Sequence, residues 1–368
     1  MRELHLHSVV FRGVLTATAL LYALIIWCRQ RDLSQKVSFR LASIFALFCL
    51  VWLATCPVIW DSPSDRNSWA TTFEWAREYA ESIRPYLSMR DPVWQAFKYL
   101  CTRIMDYRGW FLITALLYVG SYFLASCRLC RRNVAAMFIA VTGGFAFYSY
   151  GVNAVRAGVS LALIFLSYTY TEEKWKMFAC MAAALCAHFS SGIPACAMLL
   201  SLPIITRKCD RQQTIKRLGF LFILWIAIMT VSGLFGREVT DCFNRIASGT
   251  DRLSYLANRP DCGYRTGFRV DFILFSLFPI VVSAFFLLVC KYRSFVYCRI
   301  LSAYLLANTF WLPVIRVPFT DRFAYLSWFL MPFLLISPLT DKNLNLKHRT
   351  LILPAAILGE IVLFNYIL

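Results

Sequence analysis

Apolar runs bounded by charged or turn residues recur along almost the whole chain, at 9–27, 40–60, 109–127, 134–150, 153–170, 176–190, 193–206, 218–235, 270–290, 297–314, 323–339 and 350–368. A transmembrane helix needs roughly 20 predominantly apolar residues. The pattern therefore predicts an all-α, polytopic integral membrane protein with about 12 transmembrane helices (10–12), forming a single membrane domain over 1–368. The polar stretches 61–108 and 236–269 are expected as extracytoplasmic loops. The run 193–206 is short and follows Ser190-Ser191-Gly192, so it either spans or re-enters. Counting it as a span keeps the basic segment 207–217 on the side of the other short basic loops. The run Val14 to Trp27 continues into Cys28-Arg29-Gln30-Arg31 with no small-residue cleavage pattern, so it is expected to stay as an anchored first span.

Composition agrees with this layout and excludes the ordinary soluble architectures. Of 368 residues, 59% are hydrophobic and only 16% are charged, against about 45–50% and about 25% in soluble domains. The formal charge of +18 is read here as a topology signal, and no nucleic-acid partner is expected. The short segments 29–40, 128–132, 171–176, 207–217, 291–299 and 341–349 carry 20 of the 38 bases, which assigns them to the cytoplasm. Eight of nine lysines fall on that side, with Lys98 the exception, so the opposite face holds 17 arginines among its 18 bases. Topology is indifferent to which base supplies the charge. An oxyanion site is not, because the planar guanidinium binds phosphate or carboxylate bidentately. The seven acids and seven bases of 61–108 read as a solvated or interfacial helical region whose charges neutralise one another. The fourteen cysteines read as small buried hydrophobes. Cys127 and Cys130 lack a matching ligand pair for a metal, while Cys242 and Cys262 share one outer loop and are candidates for a disulfide.

Four segments bring ionisable groups to one membrane boundary. In Tyr150-Gly151-Val152-Asn153-Ala154-Val155-Arg156, helical spacing sets Asn153, Arg156 and Ser160 near one face, with Arg156 at an outward helix N-terminus that favours anions. Ala187-His188-Phe189-Ser190-Ser191 closes the next span. His188 is expected to be the one histidine near a boundary within the bundle, since His5, His7 and His348 fall in a tail or a loop, and it is a candidate for proton transfer. Arg252, Arg265 and Arg269 precede Asp271, which opens a span and is equally a natural helix cap. Arg316 and Arg322 flank Pro318-Phe319-Thr320-Asp321, followed by Tyr325. Together these suggest a site for an anionic lipid headgroup.

At these residues the chain resembles the Wzy-type, EpsG-like family of polysaccharide polymerases. The likeness rests on Asn153-Ala154-Val155-Arg156, His188-Phe189-Ser190-Ser191, Gly267-Phe268-Arg269-Val270-Asp271-Phe272 and Asp321-Arg322-Phe323-Ala324-Tyr325-Leu326-Ser327-Trp328, in order over about 90–340. Ala157-Gly158 departs from the Gln-Gly or Gln-Ser common in relatives. The resemblance implies a C-type glycosyltransferase architecture in a bacterial inner membrane, with its site facing the periplasm or exterior. It also implies transfer of a growing glycan from undecaprenyl diphosphate onto the next lipid-linked oligosaccharide repeat. The implied roles are His188, or secondarily Asp271, as base; Arg156, Arg316 and Arg322, then Arg252, Arg265 and Arg269, on diphosphate; and Asn153 and Tyr325 in support. No cofactor or metal is expected, and the partners are the lipid-linked oligosaccharide, membrane lipids and a chain-length regulator. Three other readings use similar residues: a flippase for lipid-linked sugar, an O-antigen ligase and a membrane O-acyltransferase. A transporter would more commonly carry its polar groups near the midplane with internal repeats, and neither is visible.

Overall fold

The computed structural model describes residues 2–60, 64–248, 266–344 and 346–367. These residues form helices, turns and irregular segments, with no strand among them. In chain order the helices are α1 (Arg2–Arg29), α2 (Gln35–Ala54), α3 (Asp65–Tyr79), α4 (Arg84–Leu87), α5 (Pro92–Thr102), α6 (Tyr107–Leu129), α7 (Val134–Gly143), α8 (Phe147–Val152), α9 (Val155–Ser167), α10 (Lys174–Ala187), α11 (Gly192–Ile204), α12 (Arg211–Leu234), α13 (Gly236–Ser248), α14 (Val270–Leu288), α15 (Phe295–Trp311), α16 (Asp321–Trp328), α17 (Met331–Thr340) and α18 (Arg349–Val362). Eight stretches among the described residues are long and apolar enough to cross a membrane. The chain is thus a multi-pass membrane protein by helix composition.

Four of the twelve expected spans are shorter helices. The run 134–150 breaks at Gly143-Gly144 into α7 and α8, and 153–170, 176–190 and 193–206 hold α9, α10 and α11, of 13, 14 and 13 residues. At 1.5 Å per residue these give about 20 Å, short of a hydrocarbon core of about 30 Å. Every residue of α7 is buried, so its uniform apolarity comes from enclosure by protein on all sides. The first helix begins at Arg2, seven residues before the expected start, and this moves His7 out of the tail. His7 is buried, stacked on Trp52 at 4.4 Å and bonded to the Tyr148 hydroxyl at 2.7 Å. His188 is therefore not the one histidine within the bundle.

The chain divides into two compact units, Met1–Gly192 with Ile336–Leu368, and Ile193–Leu335. In the first, α7 packs against α1, α2, α6 and α18, and α9 packs against both α6 and α10. Side-chain caps set several helix starts: Ser34 accepts from the Val37 N–H, Ser64 from Asn67 and Asp106 from Gly109, each satisfying a first-turn donor. Gly158 lets α9 approach α8 closely, since a Cβ there would stand 2.7 Å from the Tyr150 carbonyl oxygen.

In the second unit, α12 opens with a reciprocal capping box between Asp210 and Gln213. Its core is tied by the buried Asn308, which accepts from the Trp225 indole N–H at 2.7 Å and donates to Ser327 at 2.9 Å and Ser276 at 3.1 Å. One amide thereby links α12, α14, α15 and α16. Such a network stabilises a core only when fully satisfied, and Asn308 uses both ends.

Candidate active site

The segment 64–108 is helical, as expected, but part of its charge is buried. Arg66, on the first turn of α3, is 4% exposed; its guanidinium donates to the Ala54 carbonyl at 2.9 Å and the Val152 carbonyl at 3.4 Å and lies 3.8 Å over the Phe111 ring. Asn153 accepts the Arg66 backbone N–H at 3.2 Å. Asn153 thus holds α3 in place, a supporting role, while Arg66 escaped the sequence reading.

The docked segment carries Asp91 to Arg156 and His188. Asp91 precedes Pro92 at the start of α5 in the left-handed region, at φ 53°. That region costs most residues about 1–2 kcal/mol, and Asp and Asn visit it more readily. Its carboxylate is 5% exposed. Oδ2 lies 2.7 Å from Arg156 Nη1 and 3.6 Å from His188 Nδ1, and Oδ1 accepts the Phe189 N–H at 3.2 Å. Burial pushes this carboxyl up, but His188, the Arg156 guanidinium and the Phe189 N–H together hold it below its ordinary value. Arg156 and His188 keep 21% and 26% of their side chains exposed, so the buried acid sits behind two accessible groups.

Local structure fixes each partner. Arg156 lies in the first turn of α9, and Ser160, one turn on, donates to the Ala184 carbonyl at 3.0 Å, tying α9 to the last turn of α10. His188 ends α10 because its backbone turns extended, at φ −155° and ψ 117°. Its Nε2 lies 3.2 Å from the Ser190 hydroxyl. Nδ1 is buried and faces the carboxylate at 3.6 Å, just beyond hydrogen-bond distance, so a tautomer with its proton on Nδ1 would leave Nε2 as the acceptor.

A second cation stands beside Arg156. Lys98, two turns along α5 from Asp91, is 4% exposed, donates to the Thr72 hydroxyl at 3.2 Å and has Nζ 5.3 Å from the Trp69 ring centre. The Arg156 guanidinium lies 5.7 Å from the same ring. Burial, then repulsion from Arg156, lowers the Lys98 ammonium to about 8. The sequence reading marked Lys98 only as an exception to the lysine bias. Asp91 and Trp69 carried no signal beyond membership of a charged, aromatic segment.

The remaining predicted residues lie in the second unit or outside the described residues. Arg269 grips the Asp271 carboxylate through Nε at 2.9 Å and Nη2 at 2.6 Å and lies 3.6 Å from the centre of the Phe272 ring. Asp271, the second candidate base, is therefore engaged by its own neighbour. Arg316 donates to the Gly233 carbonyl at 3.3 Å and lies 5.4 Å from the Phe268 ring centre; a methyl at Gly236 would collide with its guanidinium. Arg322 lies 4.8 Å from the Phe319 ring centre, and Tyr325 packs edge-on to Trp328. Arg252, Arg265 and the Cys242–Cys262 pairing fall, through 252, 265 and 262, outside the described residues. Among the described residues no group of three or more His, Cys, Asp or Glu is placed to hold a metal ion.

The sequence model of the EpsG family matches residues 43–366, which contain every residue of this cluster. No curated protein matches the chain, and no solved structure does.

Proposed function

The chain belongs to the EpsG family, whose members are linked to exopolysaccharide synthesis, and on that premise we propose that it is the polymerase joining undecaprenyl-diphosphate-linked repeats at the outer leaflet. The observation that carries this reading is the single buried carboxylate of Asp91, which presents a guanidinium and an imidazole side by side. A transfer between lipid-linked sugars needs both groups. An acceptor hydroxyl attacks the anomeric carbon of the donor glycan; the new C–O bond forms as the bond to the diphosphate oxygen breaks, and that oxygen leaves with the electron pair. His188 Nε2 takes the hydroxyl proton, in the position now held by the Ser190 hydroxyl. Asp91 orients the ring and stabilises the imidazolium that results.

Arg156, with Lys98 beside it, meets the charge that develops on the departing diphosphate. Preorganised cations in a partly dehydrated site stabilise such charge more than water does, so the proposal is metal-independent. A requirement for Mg²⁺ in a purified assay would overturn that part. Each transfer involves two lipid diphosphates, and Arg316 and Arg322, then Arg252, Arg265 and Arg269, are the candidates for further oxyanion contacts. The proposal includes the C-type glycosyltransferase architecture and an inner-membrane location.

The test is the surface-polysaccharide gel profile of a strain lacking this protein, with its undecaprenyl-linked glycans extracted alongside. Loss of the ladder with single repeats still on their carrier at the outer face supports a polymerase. Long polymer stranded on undecaprenyl diphosphate would indicate a ligase, and single repeats trapped on the cytoplasmic side a flippase. An unchanged ladder would reject all three.

A further inference from the structure

The first unit holds a second polar site, built from three interhelical links: α1–α2, α6–α7 and α17–α18. Asp32, Ser34, Gln35, Arg132, Thr340 and Lys342 line a cavity of about 210 Å³, together with Asn133, whose amide is bonded to Tyr22. All three links belong to the short basic segments that the charge pattern assigns to the cytoplasm. The site described above instead gathers the start of α5, the start of α9 and the end of α10.

Two features of this cavity specify a ligand. Arg132 and Lys342 are exposed at its rim and make no ion pair or hydrogen bond among the described residues. Asp32, its side chain 8% exposed, accepts from the Arg349 guanidinium on Oδ2 at 2.6 Å, while its buried Oδ1 has no hydrogen-bond partner. The Asp32–Arg349 pair cancels, leaving two positive charges over an unfilled acceptor. A buried acceptor without a donor costs about 1–3 kcal/mol, and a ligand hydroxyl reaching Oδ1 would recover it. A ligand ammonium there would face the Arg349 guanidinium, which favours a neutral donor. The volume is below the about 300–1,000 Å³ of drug-sized pockets and suits a headgroup. Basic pockets between transmembrane helices on the cytoplasmic side are the usual recognition sites for acidic lipids.

We propose that this cavity binds the headgroup of an acidic phospholipid bearing a free hydroxyl, its phosphodiester on Arg132 and Lys342 and its hydroxyl on Asp32 Oδ1. Phosphatidylglycerol has this chemistry. The test is native mass spectrometry of the full-length protein in detergent, offered short-chain phosphatidylglycerol, phosphatidylethanolamine, phosphatidylmethanol and inorganic phosphate. Phosphatidylglycerol is expected to be retained at least tenfold better than phosphatidylethanolamine. Phosphatidylmethanol, which has the charge without the hydroxyl, is expected to bind about fivefold more weakly than phosphatidylglycerol. The double variant Arg132→Gln, Lys342→Gln should lose the retained lipid tenfold; if it fails to assemble, the two single variants read the same loss separately. Equal retention of phosphatidylglycerol and phosphatidylethanolamine, or undiminished retention in the variants, overturns the proposal. Equal binding of phosphatidylmethanol removes the hydroxyl contact to Asp32. Full displacement of lipid by millimolar inorganic phosphate would make it a free-phosphate site.

Discussion

Arginines of the first and second units look alike in the sequence and are used differently. Arg156 shares a buried carboxylate with His188, has Lys98 as a neighbour and keeps part of its guanidinium exposed. Arg269 is bound to Asp271 two residues along the chain, Arg316 is held by the Gly233 carbonyl and the Phe268 ring, and Arg322 lies by Phe319. The difference teaches that a tally of arginines at one boundary does not tell such arrangements apart. What separates the two sets is the partner: a buried acid shared with a histidine for Arg156, and rings, a backbone carbonyl or a half-exposed acid for the others.

The largest effects should come from breaking the Asp91 junction. Arg156→Ala is expected to abolish polymerisation, and Arg156→Lys to restore little, because lysine cannot hold Asp91 and a phosphate with one planar group. Asp91→Asn should fall about as far, at least 100-fold, since it frees both partners. Ladder length in complemented deletion strains, at matched protein levels, reads all three. Full activity in either Arg156 variant would remove Arg156 from the site. His188→Gln comes next, with an expected loss of about 100-fold or more. If Asp271→Asn instead produced that loss and His188→Gln did not, the base would lie in the second unit.

Gly236→Ala displaces Arg316 without removing its charge and is expected to cost about tenfold, within the range seen when a catalytic group is misplaced. An unchanged rate would show that Arg316 serves packing. Lys98 supplies the smallest and most specific signal. Its ammonium titrates near 8, so kcat/KM should fall by a few-fold above about pH 8, and Lys98→Arg should lose that limb. Stability should move the other way. The folded value lies below the unfolded value of about 10.4, so the unfolded chain binds more protons between the two, and stability rises from about pH 8 to 10. Activity and thermal melting that fell together over that range would show that loss of structure, not of charge, sets the activity limb.

Much of this was legible in the chain. Helix content and the groups at 156 and 188 followed from hydropathy and spacing. Among the described residues eight stretches, against the twelve apolar runs, are long and apolar enough to cross a membrane; hydropathy reports distance from water and does not distinguish lipid from protein, and α7 is as apolar as a spanning helix, yet it is ten residues long and enclosed. Asp91 was missed for a different reason. Its partners lie 65 and 97 residues away, and local spacing carries no information about a pairing made by a docked segment. Arg66 was missed likewise, since a buried and a solvated arginine in a polar stretch are spelled the same.

Arg66 also bears on how the protein assembles. It binds the last carbonyls of α2 and α8 with one side chain, at Ala54 and Val152, so its docking place exists only after both helix ends have been brought together. During synthesis the polar segment 64–102 emerges before α8, so the Val152 carbonyl and Asn153 can join it only after nearly a hundred further residues have followed Ala54. The acid that joins Arg156 to His188 travels on that segment, so the junction is complete only once the segment, the start of α9 and the end of α10 have all come together.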